Sequence, residues 1–489
     1  MRALSTESLV LIAVLTPFIG ALIIPLFRNS PNLRETVTLA TAGTLCLVTF
    51  SLIGPVFDGA RPELQIIQVV PGLDIAFKVE PLGMLFALVA ASLWIVNSIY
   101  SIGYMRANQE PRQTTFYVCF AVALGSTIGV AFAKNLFTLF LFYELLTLST
   151  YPLVTHKRNE EAVRAGRIYL LLLLGTSLIL FLPAIIATWV FAGTLDFVPG
   201  GILAGKAGAP VIAALLALYV FGIGKAALMP LHFWLPAAMV APTPVSALLH
   251  AVAVVKAGVF TVVKVVVYIF GLETLTKTGA SEWLVFVASA SLLTASFIAL
   301  SRDNLKARLA YSTISQLAYV VLGAALATPT SVIGSGLQIA THAAGKITLF
   351  FCAGAIYTAH HLTEVSQMTG IGRKMPVTML AFLVASLSII GLPPLGGAWS
   401  KWTLGLGALD ASYVIVMGVL MLSSLLSVAY LLPVVARGFF LPPLDASADG
   451  KTLVKEAPTA CLIALSGTAL LCFVLFFLAG RIEALLGKI

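Results

Sequence analysis

The sequence predicts an all-α polytopic membrane protein with about fourteen transmembrane helices. Of its 489 residues, 60% are hydrophobic and only 10% are charged, whereas soluble domains carry about 25% charged residues. Apolar runs of about 20 residues, the length of helix that crosses the hydrocarbon core, recur along almost the whole chain. Two runs, GIGKAALMPLHFWLPAAM and GLPPLGGAWSKW, are interrupted by Pro and Gly. Helix breaks of this kind are tolerated in a membrane only where they line a cavity.

Helices are predicted wherever an apolar run lies between charged stretches. In chain order the predicted spans are 8–27, 35–55, 81–104, 114–133, 136–155, 168–192, 211–229, 243–270, 282–300, 307–327, 331–357, 377–396 with a continuation beyond a break, 411–439 and 457–480.

Lys and Arg are distributed unevenly over the connections between these helices. Alternate connections carry sixteen on one side and eight on the other. The richer side includes Lys451, in a polar stretch at 441–456 that we expect to be a cytoplasmic loop. The positive-inside rule makes the richer side cytoplasmic. Both termini are therefore expected outside a bacterial or archaeal cytoplasmic (inner) membrane, and the net charge of +9 is explained by orientation rather than by nucleic-acid binding.

Five lysines remain inside predicted helices. They are Lys225, Lys256, Lys264, Lys346 and Lys401. A charged side chain at the bilayer centre costs about 3 kcal/mol or more and usually marks an ion pathway. Lysine can release its proton when buried, whereas arginine stays charged. Histidine, at His250 and His342, titrates near neutral pH and can pass protons between lysines. This set is typical of a proton path.

Glu144 is the one acid predicted at mid-membrane depth. A lone buried carboxylate is neutral unless a cation pairs with it, and Lys225 is the partner that we expect. Static alternatives remain open for these residues. Glu144 and Lys225 could form a fixed ion pair, and His342 with Lys346 could be polar packing. Lys401 could snorkel to an interface, and Lys264 could reach the outer interface.

The two interrupted runs are five helices apart. Lys225 lies in the first, Lys401 follows the second, and an odd offset inverts a repeat across the membrane. Broken helices at matching positions of inverted halves point to an ion site at the midplane.

Five scattered cysteines without a CxxC pair offer no metal or redox site. We expect no cofactor and no metal, and no catalytic motif is present. Whether the chain belongs to an enzyme stays open.

Six motifs carry a resemblance to a known family. They are NLFTLFLFYELLTLSTYPLV, GKAALMPLHFWLPAAMVAPTPVSALLHAVAVVKAGVF, DNLKARLAYSTISQLAY, THAAGKITLFFCAGAIY, GIGRKMPVT and LSIIGLPPLGGAWSKW. In this order, over roughly residues 75–440, they resemble the antiporter-like subunits shared by respiratory complex I, membrane-bound hydrogenases and Mrp-type antiporters. Chain length and YLLPVVARGFF make the sequence most similar to the D-type subunits of Mrp antiporters.

The resemblance implies two inverted five-helix repeats, each with a broken helix. The implied domains are helices 1–3 (1–113), the first repeat with helices 4–8 (114–270), the second repeat with helices 9–13 (271–440), and a cytoplasmic loop with helix 14 (441–489). The family's proton-transfer residues match this chain at Glu144, Lys225, Lys256, His250, His342, Lys346 and Lys401. Many relatives have an acid and a histidine in the WLPAAM segment, where this chain has Ala237 and Met239.

These observations predict a proton-translocating subunit of a multi-subunit, Mrp-like Na⁺/H⁺ antiporter. Expected partners are other membrane subunits, including a second antiporter-like subunit, with lipid around them. Protons are the expected substrate of this chain, and whether Na⁺ also passes through it stays open. The predicted path enters from the cytoplasm near helices seven and eight, crosses the lysines and leaves through Lys401. The alternative is a proton-pumping subunit of a complex I or hydrogenase relative. A carrier of organic substrates and a purely structural scaffold are disfavoured by lysines spread over four helices.

Overall fold

The computed structural model describes residues 5–442 and 454–489. Lys451, which we expect in a cytoplasmic loop, lies outside the described residues. The protein is mostly helical, which confirms the predicted fold class. In the described part, eleven helices are long and apolar enough to cross a membrane.

We number the longer helices in chain order and leave short single turns without a label. They are α1 Thr6–Phe27, α2 Pro31–Phe57, α3 Pro81–Ala107, α4 Gln113–Phe132, α5 Leu136–Val154, α6 Glu160–Ala192, α7 Ala209–Gly222, α8 Thr243–Phe270, α9 Glu282–Ser301, α10 Leu305–Ala325, α11 Pro329–His360, α12 Pro376–Ile390, α13 Gly397–Asp410, α14 Val414–Phe440 and α15 Thr459–Leu486. Each predicted span overlaps one of these helices, or α12 and α13 together. The predicted helix 211–229 is too long, because α7 ends at Gly222 and the break follows. The exact number of membrane crossings and the two inverted repeats stay predictions.

Several helices begin at a residue that caps the free amides of the first turn. Asn135, Asn159 and Asn304 each accept a hydrogen bond from the amide three residues later, at the start of α5, α6 and α10. Such side chains satisfy backbone donors that have no partner within the helix. The caps fix where α5 and α10 start, and therefore the depth of the residues that these helices carry.

The connections lie on two faces. We call the face with residues 58–80, 133–135, 193–208 and 487–489 the terminal face, and the face with residues 108–112, 155–159, 302–304 and 361–375 the basic face. The carboxyl end of the chain contacts the end of α2, where Arg61 donates a hydrogen bond to the Lys488 carbonyl at 3.0 Å. Both described ends of the chain therefore lie on the terminal face.

A two-stranded antiparallel hairpin covers part of the terminal face, and the sequence analysis missed it. Strand β1 is Glu63–Val70 and strand β2 is Leu73–Lys78. The turn contains Gly72 at φ +82°, a backbone conformation that favours glycine. Pro-Gly between two β-branched runs was the available signal. The hairpin is short and lies in a connection between helices, so the predicted all-α class stands.

Both predicted helix breaks are present. After α7 the chain runs through short turns at Gly224–Ala226 and Trp234–Ala237 before α8 begins. Between α12 and α13 it bends at Gly391, which has φ +95°. The first break packs closely on α8, since a Cβ at Gly258 would lie 2.3 Å from the carbonyl carbon of Lys225. A larger residue at position 258 would push the break away.

Helices α8 and α11 form the centre of the protein. Their apolar stretches are wholly buried by other helices, whereas α1, α2 and α15 leave most of theirs exposed. Large apolar side chains such as Leu22, Leu26 and Phe477 are exposed on these outer helices, as expected for a surface that faces lipid. The polar side chains of α8 and α11 are thus kept away from lipid.

Candidate functional site

Lys225 lies in the first helix break and points to α5. It is fully buried. Its Nζ donates to the Tyr143 carbonyl at 2.9 Å and to the Thr147 hydroxyl at 2.5 Å, and it lies 3.2 Å from the centre of the Tyr143 ring. The break is what turns this side chain across to α5, because the helical path ends at Gly222.

Glu144 does not make the direct ion pair with Lys225 that the sequence analysis expected. Both of its carboxylate oxygens are buried, and neither accepts a hydrogen bond from a described residue. Lys225 bonds instead to Tyr143 and Thr147, which lie on either side of Glu144 along α5. The reason is rotational: Tyr143 and Thr147 share one face of α5, and Glu144 lies next to that face.

Lys256 and His342 form a direct contact between the two central helices. Lys256 Nζ lies 2.6 Å from His342 Nδ1, and the two residues are 0% and 1% exposed. The sequence analysis considered His342 together with Lys346 and did not predict a contact between His342 and Lys256. The structure instead joins α8 to α11 through Lys256 and His342, while His342 Nε2 contacts no polar group of the described residues.

His250 is buried beside this contact but is not hydrogen-bonded to it. Neither ring nitrogen has a partner among the described residues, and the ring packs on Phe350 with the centroids 4.7 Å apart. It lies in a wide π turn, Leu248–Val252, within α8. Such turns are frequent at functional sites.

Lys346 and Lys401 continue the series through the second half of the chain. Lys346 Nζ donates to the Ser312 hydroxyl at 2.5 Å on α10. Lys401 Nζ donates to the Ile390 carbonyl at 3.0 Å and to the Ser424 hydroxyl at 2.9 Å. The carbonyl of Ile390 is free to accept because α12 ends there. The second break thus supplies an acceptor to Lys401, which is partly buried.

A buried ion pair on the terminal side of α8 was not recognised as a pair from the sequence. Lys264 is fully buried and lies 3.3 Å from the Glu80 carboxylate, which disfavours the alternative, left open by the sequence, that it reaches the outer interface. Lys264 also donates to the Ala133 carbonyl at 2.8 Å. The spacing of Lys264, two turns after Lys256, was the signal that could have placed it inside.

On the basic face a cavity of about 220 Å³ opens between the two halves of the chain. Its lining includes Lys157, Met239, Thr243, Lys306 and Tyr357. Thr243 is the first residue of α8, and His250 follows two turns further in. The cavity therefore leads from the basic face toward the buried lysines.

A histidine–carboxylate contact lies near the cavity, outside the membrane spans. His156 Nε2 lies 3.6 Å from the Glu110 carboxylate. Burial lowers the pKa of the His156 ring to about 4, and desolvation raises the pKa of Glu110. His156 is therefore neutral at physiological pH and contributes no charge to this face.

The arrangement is suited to moving protons. Lysine, histidine and hydroxyl groups meet at hydrogen-bond distance in the protein interior, and each can hold or pass a proton. Among residues 5–442 and 454–489, no group of three His, Cys, Asp or Glu side chains could hold a metal ion. Fold and site together define a multi-pass membrane protein with lysines in its interior that contact hydroxyl and carbonyl groups and a histidine ring.

The chain belongs to the NADH:quinone oxidoreductase/Mrp antiporter transmembrane family, whose model matches residues 133–427. That range contains all seven predicted site residues. The chain is 30% identical over 448 residues to the NADH-quinone oxidoreductase subunit N of Desulforudis audaxviator (strain MP104C), covering 90% of this chain and 88% of that protein. It is also 30% identical over 401 residues to a probable K(+)/H(+) antiporter protein, the A/B subunit, of Rhizobium meliloti (strain 1021), covering 81% of this chain and 39% of that longer protein.

Two solved structures share the fold. One is a chain of the Mrp complex from Dietzia sp. DQ12-45-1b, with a TM-score of 0.85 and 21% identity, covering 99% of this chain and 96% of that one. The other is a chain of the membrane-bound sulfane sulfur reductase, an archaeal respiratory membrane complex, with a TM-score of 0.83 and 24% identity, covering 98% and 96%. At these identities the likeness establishes the fold.

Proposed function

We propose that this chain is the proton-translocating subunit of a multi-subunit, Mrp-like antiporter that exchanges protons for a monovalent cation. The cation is Na⁺ or K⁺. Its partners are other membrane subunits, including a second antiporter-like chain, in a bacterial or archaeal cytoplasmic membrane with the terminal face outside. The antiporter name of the Rhizobium meliloti relative supports this reading.

The contact between Lys256 and His342 carries the proposal. A static ion pair needs complementary charge, yet the ion pairs of the described residues include none of Lys256, Lys346 and Lys401. Each of these lysines bonds to a neutral nitrogen or oxygen acceptor. An ammonium buried with neutral acceptors alone is expensive to keep permanently charged, so these groups are suited to transient loading with a proton.

The proposed path enters through the basic-face cavity and passes His250 to reach Lys256. The proton then crosses from α8 to α11 at His342, continues to Lys346 and leaves the row at Lys401. Lys225 loads or releases a proton beside this path. Glu144 modulates it, because a negative charge next to the Tyr143 turn favours the protonated form of Lys225, and neutralising or moving that charge favours release.

The proposal is tested by measuring cation-dependent proton transport by the whole complex that carries either Glu144→Ala or Lys225→Ala. Complexes in inverted membrane vesicles are energised to form a pH gradient, and its dissipation on adding Na⁺ or K⁺ is followed by fluorescence quenching. Both variants should lose transport by about a hundredfold, the scale of a positioned proton-transfer group. Lys277→Ala is the control, since Lys277 is 72% exposed and pairs with Glu273 on the surface.

Subunit levels in the membrane are measured for each variant. Full transport by assembled Glu144→Ala and Lys225→Ala complexes would contradict the mechanism. Loss of transport together with loss of assembly would assign these residues a structural role instead.

A second candidate function is proton pumping within a redox-driven complex. It is favoured by the nearly full-length match to the subunit N of Desulforudis audaxviator. Affinity purification from the native membrane in mild detergent separates the two. Small membrane subunits with a second antiporter-like chain support the antiporter, whereas copurifying iron–sulfur or flavin subunits support the redox-driven pump.

A further inference from the structure

A row of hydroxyl groups begins at Lys346. Its ammonium donates to Ser312 Oγ at 2.5 Å, Ser312 Oγ donates to the Tyr430 hydroxyl at 2.9 Å, and the Tyr430 hydroxyl is 2.9 Å from Ser427 Oγ. Ser312, Ser427 and Tyr430 are each 0% exposed. The row therefore crosses from α11 through α10 to α14 without reaching the surface.

A second group of hydroxyls lies one helical turn away and ends at Lys401. Ser423 and Ser424 precede Ser427 on α14 by four and three residues, so they lie on the same side of the helix. Ser424 Oγ accepts from Lys401 Nζ at 2.9 Å. The Tyr319 hydroxyl lies beside Ser423 and Ser424, and Lys401 Nζ is 4.9 Å from the centre of its ring. Hydroxyls thus lie at both ends of the interval between the two lysines, and among the described residues no direct hydrogen bond joins Ser427 Oγ to Ser423 Oγ.

A different polar network also connects α10, α11 and α13, and its chemistry is unsuitable for proton transfer. Gln338 donates to the Gln316 amide oxygen at 2.8 Å, and Ser400 donates to the Gln338 amide oxygen at 2.6 Å. An amide accepts only at oxygen and donates only at nitrogen, whereas a hydroxyl accepts and donates at one atom. A proton can therefore pass along a row of hydroxyls and is stopped at a glutamine.

We propose that the hydroxyl row of Ser312, Tyr430, Ser427, Ser423, Tyr319 and Ser424 relays protons from Lys346 to Lys401, with the Tyr319 hydroxyl connecting the two consecutive serines. This inference rests on the proposed function and adds the groups that connect its last two lysines. The Lys346 ammonium gives a proton to Ser312 while Ser312 gives its own proton to Tyr430, and the exchange repeats along the row. At the end, Ser424 gives a proton to a neutral Lys401 amine.

Atoms balance in this sequence, because each hydroxyl gains one proton and loses one. The row ends with every hydroxyl neutral, Lys346 neutral and Lys401 protonated. Several hydroxyls must rotate within it. The Tyr319 hydroxyl donates to the Leu420 carbonyl at 3.3 Å and must turn toward Ser424. Ser424, which accepts from Lys401 Nζ, must turn its hydrogen toward the Lys401 amine. Ser427 Oγ donates to the backbone carbonyl of Ser423 at 2.9 Å, and this hydroxyl must turn toward Ser423 Oγ for the proton to pass. Hydroxyl hydrogens rotate to suit their partners.

Tyr430→Phe tests the relay in the intact complex. The change removes one hydroxyl from the middle of the row and keeps the aromatic ring. We expect the cation-dependent proton flux to fall by about a hundredfold, as for loss of a positioned proton-transfer group. Tyr219→Phe is the matched control. The Tyr219 hydroxyl is equally buried and bonds to the Thr188 hydroxyl at 2.7 Å, but it contacts no lysine of the path, so this variant should keep the wild-type flux.

Two variants at Ser312 separate proton transfer from packing. Ser312→Ala removes the hydroxyl and should abolish the cation-dependent proton flux. Ser312→Thr keeps a hydroxyl at this position and should retain the flux. A wild-type flux in Tyr430→Phe or in Ser312→Ala would overturn the relay, and so would equal losses in Ser312→Ala and Ser312→Thr complexes that assemble normally. Failure of the proposed function is distinguishable, because the wild-type complex itself would then show no cation-dependent proton flux.

Discussion

Replacement of His342 by alanine is the sharpest test of how the two central helices exchange protons. His342 Nδ1 lies 2.6 Å from Lys256 Nζ, and both side chains are fully enclosed by other helices. The variant removes this acceptor and leaves Lys256 facing a cavity the size of an imidazole ring. A proton on Lys256 then loses its stabilising partner, and the route to α11 loses its first group.

The size of the effect follows from the type of bond that is lost. A hydrogen bond to a charged group contributes about 1.5–3 kcal/mol, and about 1.4 kcal/mol corresponds to a tenfold change in rate. The proton-loaded state of the Lys256–His342 contact should therefore become about tenfold to a hundredfold rarer in the variant. Transport through this step should slow by the same factor.

The assay is the initial rate of pH-gradient dissipation in inverted vesicles, normalised to the amount of assembled complex. His361→Gln is the control, because His361 follows the same helix but is exposed at its basic end. Lys256→Arg should be as impaired as His342→Ala, since arginine keeps the positive charge but does not release its proton. Normal transport by His342→Ala, or by Lys256→Arg, would refute the reasoning.

Two further predictions concern stability. Glu80→Gln leaves Lys264 buried without a carboxylate, which should destabilise the protein by up to about 3–5 kcal/mol and lower the thermal midpoint of the detergent-solubilised complex. Glu273→Gln, which removes an exposed ion pair, should leave the midpoint unchanged. Equal midpoints for wild type and Glu80→Gln would show that the Glu80–Lys264 pair does not stabilise the protein. The pKa of His156 is lowered to about 4 by burial, so the unfolded chain binds the extra proton between about pH 6.5 and 4 and stability falls as the pH falls through that window. The loss at pH 5 should be no more than about 2 kcal/mol, from the difference between the two pKa values. His156→Gln should therefore show a smaller drop in thermal midpoint between pH 7.5 and pH 5 than wild type. An unchanged drop would exclude His156 as the cause.

The helices, their order and the two breaks could be predicted from the sequence. A membrane helix is marked by the length of an apolar run and by the charges at its ends, and a break is marked by Pro and Gly. All of these are local properties. The membrane environment also limits which residues can be buried. The lysines at 225, 256, 346 and 401 were therefore recognisable from the free-energy cost of placing a charged side chain inside a membrane.

The pairing of these residues could not be predicted. Glu144 and Lys225 were expected to touch, but Tyr143 and Thr147 hold the lysine. Lys256 contacts His342 rather than His250. Sequence spacing gives the rotation of residues within one helix, but not the rotation and depth of one helix relative to another. Those depend on packing, for instance on the close approach at Gly258.

The sequence by itself determined that this chain crosses a membrane many times, that it breaks two helices and that it buries an unusual set of lysines and histidines. Only the tertiary structure decided which of them meet. It buried Lys264 against Glu80, and it aligned Ser312, Tyr430 and Ser427 into a row. The physical reason is that the free energy of burying a side chain depends on the residue type, which is visible in the sequence. Hydrogen bonds between helices require atoms from distant positions of the chain to lie within about 3 Å of each other, and only the packed fold brings them there.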